Sequence, residues 1–157
     1  TGGRLLSLTY LHLPENINIT IVGNKLPFTP IQQHTYLPYI TDRIKLARCY
    51  NEHDILLFPS KAEALGLVPM EAMACGVCVF ASNIGGIPEI IKNNDTGFLF
   101  EDAQELLPLL KMQLENIQHI RIIGKNASNY ISKEFSLSRM MENYTMLYKL
   151  ILNESAS

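Results

Sequence analysis

The sequence has no tryptophan, only three cysteines and no apolar run near the roughly 20 residues that cross a bilayer. Cys49, Cys75 and Cys78 are an odd set, too few for a four-thiolate zinc site and a poor framework for disulfides. The N-terminus also lacks the charged-then-apolar pattern of a signal peptide. These absences favour a soluble protein in a reducing compartment, and we expect a cytoplasmic location.

The sequence also lacks a large excess of positive or negative charge. Lys plus Arg number 13 against 15 for Asp plus Glu, which gives a formal net charge of −2. Such a balance implies no general affinity for polyanions, so we expect no nucleic-acid partner. The 157 residues contain no repeat or low-complexity linker, and that length suits one core. We therefore expect residues 1–157 to form a single domain.

Cys75 and Cys78 have the spacing of a redox pair. That motif normally opens a helix after a strand, where the helix dipole lowers the thiol pKa. Here the pair is predicted to close a helix. The pattern therefore favours the usual role of cysteine as a small buried apolar residue, with redox or metal binding as the minor alternative.

Strand-like and helix-like segments alternate along the chain. The predicted strands are apolar runs bounded by turn signals, at Ile17–Val22, Asp54–Pro59, Val77–Ala81 and Thr96–Phe100. The predicted helices lie at about 42–51, at Pro69–Ala74, at Pro88–Lys92 and along the periodic segment Leu106–Leu114. This alternation predicts an α/β fold, a Rossmann-like parallel sheet with helices on both faces and any ligand at the carboxyl ends of the strands.

The two ends of the chain carry further helical patterns. Leu5–Leu11 is helical in pattern with no strand before it, so we expect the first strand of the sheet to be missing. Pro108 is expected to kink or divide its helix. In the C-terminal third, one apolar stripe suits a membrane-surface helix or a helix packed on the domain; its few cations favour packing. The stripe consists of Met140, Tyr144, Leu147, Tyr148 and Ile151.

The stretch from Glu63 to Glu71 concentrates groups suited to a nucleotide sugar. Glu63 follows the second predicted strand, and Glu71 is expected in the first turn of the next helix. Between them, Gly66 allows close approach of the backbone, and free amides of Gly66, Leu67 and Val68 would form an anion site. A diphosphate fits these amides, with Glu71 on the ribose hydroxyls and Glu63 on the hydroxyls of the transferred sugar.

Each glutamate also has a purely structural interpretation. Glu71 would stabilise the helix dipole, although Val68 is not the Ser or Thr that completes a capping box. Glu63 would be a solvated loop residue. The spacing of two glutamates alone leaves both interpretations open.

Three blocks in this order resemble a known family: Phe58–Ser60, Glu63–Gly76 and Gly85–Glu89. The chain is similar to the C-terminal, donor-binding domain of retaining GT-B glycosyltransferases, which are the group 1 glycosyl transferases of the glycogen-synthase-like superfamily. The resemblance covers most of the chain. It implies that Glu63 is the catalytic residue near the donor sugar, that the amides of residues 64–68 contact phosphate, and that Glu71 binds ribose. It implies no cofactor and no metal site.

The resemblance assigns further residues to the donor site. The loop Pro38–Ile40 corresponds to one whose backbone contacts the nucleobase, which makes Ile40 a donor-binding residue. Lys45 would reach the nucleotide, although a lysine on an amphipathic helix is usually just solvated. Gly85 and Gly86 match a turn beside the donor cleft, and a simple tight turn would explain them equally well.

Departures from the family pattern also carry implications. Ala64 and Leu65 stand where the family usually has Gly and Phe, which implies a changed donor preference or affinity. The family's first strand carries an Arg, and a Lys precedes its first helix; both neutralise the diphosphate leaving group. This sequence begins at Thr1, beside the expected Lys position. The resemblance thus implies that the isolated domain binds nucleotide weakly and transfers nothing.

The implied whole protein is a two-domain hexosyltransferase that retains configuration and uses a UDP- or GDP-sugar in bacterial polysaccharide or glycolipid assembly. Its N-terminal acceptor domain would be missing here, and any peripheral membrane association would come through the full-length enzyme. Two alternatives are an epimerase or hydrolase of GT-B build and a non-catalytic nucleotide-binding regulatory module. A receiver-like module needs an aspartate that ends a strand, whereas Asp54 begins one.

Overall fold

The computed structural model describes residues 17–23 and 34–154, and the helix predicted at Leu5–Leu11 lies outside them. The strands within these ranges are β1 (Thr20–Val22), β2 (Thr35–Leu37), β3 (Ile55–Phe58), β4 (Cys78–Ser82) and β5 (Phe98–Phe100). The helices are α1 (Arg43–Asn51), α2 (Leu67–Ala74), α3 (Ile87–Ile90), α4 (Ala103–Leu114), α5 (Ile117–Glu134) and α6 (Leu137–Glu154).

The described strands form two sheets, and every strand pair is parallel. In one sheet β1 pairs with β2, with Thr20 opposite Thr35. In the other β4 lies between β3 and β5, with Ile55 opposite Cys78. Parallel pairing, with helices between β3, β4 and β5, confirms the predicted α/β class. β2 was not predicted because it has only three residues and follows polar sequence, so it lacks an apolar run.

β4 is the centre of the fold, and all five of its residues are buried. Successive side chains of a strand point to opposite faces, so β4 contributes to two apolar clusters. Val79 and Ala81 pack with residues of α2 and α3, whereas Cys78 and Phe80 pack with residues of α4. α5 contributes to both clusters. Helices therefore cover both faces of the three-stranded sheet.

Aspartate caps fix the starts of two helices. The Asp42 carboxylate accepts hydrogen bonds from two amides in the first turn of α1, and Asp102 does the same for α4. Pro108 lies inside α4, which is continuous, so the expected division of this helix is wrong. Pro108 is exposed, while Leu106 and Leu110 are buried and hold both halves of the helix on the core.

The bounds of α2 and α3 differ from the sequence prediction. α2 begins at Leu67 rather than Pro69, because Gly66 adopts a left-handed conformation that ends the preceding loop. Glu71 consequently lies in the second turn of α2, not the first. α3 spans Ile87–Ile90 and ends before Lys92, because Ile91 is already extended.

α6 does not pack its apolar stripe into the domain, and that prediction is wrong. The exposed fractions of the stripe residues range from 49% to 62%. Both faces of the three-stranded sheet are already covered by other helices, so α6 finds no apolar surface there. None of the helices in the described part of the chain is long and apolar enough to span a membrane.

Candidate functional site

Two loops meet at the carboxyl ends of neighbouring parallel strands. The first follows β3 and leads into α2, and the second follows β4 and contains the glycine pair. The amide of Gly86 donates to the carbonyl oxygen of Ala64 at 2.9 Å. Because ligands of open α/β sheets bind at this end of the strands, the meeting point is the candidate site.

The glycine pair is required by close backbone contact. A Cβ atom on Gly85 would lie 1.8 Å from the carbonyl oxygen of Glu63, and one on Gly86 would lie 2.3 Å from that of Ala64. Gly85 also has a positive φ of 52°. At Gly85, only glycine adopts this φ easily and also leaves room for the facing carbonyl oxygen. The segments Glu63–Gly76 and Gly85–Glu89 are therefore in direct contact.

The Glu63 carboxylate is half-buried and folds back onto its own loop. Its Oε1 accepts hydrogen bonds from the amides of Ala64 at 3.1 Å and of Gly66 at 3.2 Å. Glu63 is therefore not a freely solvated loop residue. The Gly66 amide differs from the prediction, since it is engaged by this carboxylate rather than free.

Gly66 joins the loop to α2 and packs closely against α3. Its φ is 89°, and a Cβ atom there would lie 2.4 Å from Cδ1 of Ile87. The next two amides, of Leu67 and Val68, belong to the first turn of α2, where a helix supplies no acceptor of its own. These two amides and the positive end of the helix dipole form an anion-attracting surface.

Exposed apolar side chains surround this surface. Leu65, Leu67 and Val68 are 42%, 66% and 41% exposed. These side chains are not part of the core, so their apolar surface is available for contact with a ligand. The loop thus combines amide donors, one engaged carboxylate and apolar contact area.

Glu71 is exposed on α2, and Tyr50 of α1 lies against it. The Tyr50 hydroxyl is close enough to Glu71 for the charge of that carboxylate to affect its pKa. Burial, and after it the Glu71 charge, raise the pKa of Tyr50 to about 12, so the hydroxyl keeps its proton at neutral pH. Sequence reasoning missed Tyr50, because only the packing of α1 on α2 brings this tyrosine to Glu71.

Ile40 and Lys45 line a different surface. They border a groove of about 490 Å³ between α1 and the strands β1 and β2, together with Thr20, Thr35, Leu37, Arg48, Cys49, Glu52 and His53. None of these lining residues belongs to the loop 63–66 or to α2. The assignment of Ile40 and Lys45 to the same donor site as the two glutamates therefore stays a prediction.

The cysteines show no sign of reactivity. Cys78 is fully buried, and burial raises the pKa of its thiol to about 12. Burial, followed by the charge of Glu71, also raises the pKa of Cys75. A raised pKa disfavours the nucleophilic thiolate, which supports the apolar interpretation of this pair. Across residues 17–23 and 34–154, no three His, Cys, Asp or Glu side chains gather as metal ligands.

Comparison with known proteins shows similarity along almost the whole chain. The family described as "Glycosyl transferases group 1" matches residues 12–130. N-acetyl-alpha-D-glucosaminyl L-malate synthase from Bacillus anthracis is 30% identical over 145 residues, which cover 87% of this chain and 38% of that protein.

Solved structures show the same fold. Sucrose-phosphate synthase from Thermosynechococcus elongatus superposes with a TM-score of 0.81 at 26% identity, over 99% of this chain and 43% of that one. The Anabaena protein HepE, solved in complex with UDP-glucose, gives a TM-score of 0.76 at 23% identity, over 92% of this chain and 44% of that one.

The chain therefore spans less than half the length of these proteins. The matched segment nevertheless covers most of the sequence and contains both glutamates, the glycine pair and the two sheets. By this match and by its parallel α/β architecture, the chain belongs to the group 1 glycosyl transferases and has the fold of the C-terminal half of a GT-B enzyme.

Proposed function

We propose that this domain binds the nucleoside diphosphate portion of a sugar donor between the Glu63 loop and Glu71. The observation that carries the proposal is the contact of Gly85 and Gly86 with the Glu63 loop, at the carboxyl ends of parallel strands β3 and β4. Nucleotides bind at this position in doubly wound sheets, and the N-terminus of α2 supplies the charge that a diphosphate requires.

Each group at the site has a proposed task. The amides of Leu67 and Val68 donate to phosphate oxygens, which are negatively charged and match the positive end of the helix. Glu71 accepts hydrogen bonds from the two ribose hydroxyls. Glu63 keeps one oxygen on the amides of its own loop, and its second oxygen accepts a hydroxyl of the donor sugar.

The whole protein is proposed to be a retaining hexosyltransferase that uses a UDP- or GDP-sugar, with an acceptor in polysaccharide or glycolipid assembly. Family membership supports sugar transfer, and the HepE complex supports UDP as the first nucleotide to test. The acceptor would be bound by a separate N-terminal domain. For that reason we expect this chain alone to bind nucleotide without transferring sugar.

Titration calorimetry with UDP, GDP and ADP tests the binding proposal. We expect at least one nucleotide to bind, and Glu71→Gln to weaken its affinity by about tenfold or more, because an amide replaces the charged acceptor of the ribose diol. Glu115→Gln is the matched control, since Glu115 is an exposed glutamate at the end of α4. Absence of binding at millimolar nucleotide, or equal affinity of the Glu71→Gln variant and the wild type, would contradict the proposal.

A further inference from the structure

The loops that follow β2, β3, β4 and β5 carry little positive charge. They are residues 38–42, 59–66, 83–86 and 101–102. All of these positions lie in the described part of the chain, and Lys61 is the one lysine or arginine among them. Carboxylates are more frequent, and they belong to Asp42, Glu63, Glu101 and Asp102. The proposed donor site therefore lies beside loops in which negative side chains outnumber positive ones.

These carboxylates are stabilised by neutral donors rather than by cations. Asp42 and Asp102 accept hydrogen bonds from helix amides, and Glu101 accepts one from the side-chain amide of Asn83 at 2.6 Å. Glu63 accepts hydrogen bonds from amides of its own loop. None of the four forms an ion pair with another described residue. A diphosphate adds further negative charge beside these loops, so a cation that contacts it would offset the repulsion.

Lys61 lies in the loop that contains Glu63 and leads into the anion-attracting start of α2. The Ser60 hydroxyl donates to the carbonyl oxygen of Ala62 at 2.9 Å, which holds the backbone on both sides of Lys61 in a local turn. The lysine side chain is exposed, and no carboxylate of a described residue forms an ion pair with it. Its ammonium group is therefore available to a ligand.

We propose that Lys61 is a binding residue of the donor site and that its ammonium group contacts the diphosphate attracted by the amides of Leu67 and Val68. The inference rests on the proposed binding of a nucleoside diphosphate at this loop. A lysine offers three donors and a compact charge on a flexible stem, which suits phosphate oxygens. Lys61 is distinct from Lys45, which lines the groove along β1 and β2.

Three variants separate the charge of Lys61 from its bulk and from the net charge of the chain. Lys61→Gln removes the charge and keeps most of the length of the side chain. Lys61→Arg keeps the charge. Lys111→Gln is the matched control, because Lys111 is an exposed lysine on α4 and its replacement changes the net charge equally.

The experiment measures the affinities of UDP and uridine for the wild type and each variant by nuclear magnetic resonance titration. We expect Lys61→Gln to weaken UDP binding about five- to tenfold and to leave uridine unaffected, because uridine has no phosphate. Lys61→Arg should bind UDP within about twofold of the wild type, since it keeps the cation. Lys111→Gln should match the wild type. The loss in Lys61→Gln should shrink between about 0.02 M and about 0.5 M NaCl, because salt screens exposed charges.

The possible results separate two failures. If the wild type binds no UDP, or if Glu71→Gln leaves its affinity unchanged, the proposed donor site is overturned and the role of Lys61 with it. If Glu71→Gln weakens UDP binding but Lys61→Gln does not, only the role of Lys61 is overturned. An equal loss for uridine, an equal loss in Lys111→Gln, or an Arg variant as weak as the Gln variant would also overturn that role. Thermal unfolding of each variant verifies that all are folded.

Discussion

At the scale of single residues, backbone geometry at the glycines shapes the site as much as the glutamates do. Gly85 and Gly86 carry no functional group, yet they let one loop rest on the backbone of another. Gly66 then turns the chain into α2, and the first turn of that helix has no side-chain cap. The chemistry of the loop depends on these contacts.

Gly85→Ala should cost far more stability than Gly76→Ala. Both residues have positive φ angles, of 52° and 79°, so alanine introduces backbone strain of about 1–3 kcal/mol at either position. Nothing lies within 4 Å of a Cβ atom at Gly76, whereas at Gly85 the carbonyl oxygen of Glu63 would lie at 1.8 Å. Urea unfolding of the two variants measures the difference. Equal losses would contradict the proposed loop contact.

The sequence predicted some of these residues for a physical reason and missed others. Glu63, Gly66 and Glu71 stood out because their residue types and spacing suit a helix entry that binds an anion. The bond from the Gly66 amide to Glu63 was missed, because a carboxylate can fold onto a nearby amide in ways that spacing does not specify. Tyr50 was missed because it lies 21 positions from Glu71 in the sequence.

At the scale of elements, a glycine inside α5 allows this helix to pack close to the end of α2. Gly124 lies inside α5 and is buried, and a Cβ atom on it would lie 2.1 Å from the carbonyl oxygen of Gly76. This glycine lets a helix approach the turn that follows α2. The approach in turn positions α2, whose N-terminus belongs to the proposed site.

Gly124→Ala should destabilise the domain although alanine is the better helix former. The gain in helix propensity is about 1 kcal/mol, but the new methyl group forces backbone atoms apart, as overpacked cores do at a typical cost of about 1–3 kcal/mol or more. Ser132→Ala is the control, because Ser132 is exposed on the same helix. Thermal unfolding decides the matter: a melting temperature for Gly124→Ala at or above that of Ser132→Ala would contradict this packing.

The exposure of α6 gives a contrasting expectation. Leu147 is 50% exposed, whereas Leu106 of α4 is fully buried in the second apolar cluster. Leu106→Ala should lower the free energy of unfolding by about 2–5 kcal/mol, and Leu147→Ala should lower it by less than about 1 kcal/mol. Chemical denaturation of both variants tests this. Similar losses would mean that α6 packs on the domain after all.

Element prediction succeeded where one local signal was strong. The runs at Ile55–Phe58 and Cys78–Ser82 are apolar throughout, and they are strands. The predicted start of α2 was wrong because the conformation of Gly66 decides it, and the expected division of α4 was wrong because Pro108 lies on the exposed face of a continuous helix. The stripe on α6 was apolar in pattern, but a pattern specifies only which face is apolar. It does not specify whether the fold offers a surface to cover that face.

At the scale of the whole molecule, stability should fall steeply in alkali. Burial raises the pKa of Cys78 from 9.0 to about 12, so the folded state favours the protonated thiol. Its contribution is fully present below pH 9 and is lost as pH rises from 9 to 12. Over that window, one such group lowers the free energy of unfolding by up to about 1.4 kcal/mol per pH unit.

The contribution of the Cys78 thiol can be separated from that of other groups by comparing how steeply the free energy of unfolding falls with pH in the wild type and in a variant without the thiol. Tyr50 also has a raised pKa and contributes to the same window. Urea unfolding of the wild type and Cys78→Ala at several pH values between 9 and 12 gives both slopes. The variant should be less stable below pH 9, because alanine leaves a cavity, but its stability should fall less steeply above pH 9. Parallel curves would contradict a buried thiol.

The overall architecture was largely readable from the sequence, because alternating strands and helices force parallel pairing and place loops at one end of the sheet. The division of the strands into a two-stranded and a three-stranded sheet could not be predicted from the sequence, because strand pairing depends on contacts between distant segments. The assignment of Ile40 and Lys45 stays a prediction. The family resemblance assigned them to the donor site, and the described structure places them in the groove along α1.

Nuclear magnetic resonance of the nitrogen-15-labelled chain, titrated with UDP, would locate a nucleoside diphosphate bound at the N-terminus of α2. The largest amide shifts should occur at Leu67 and Val68, and they should saturate with one affinity. No shifts at millimolar UDP, or shifts confined to the groove between α1 and strands β1 and β2, would contradict binding at this helix.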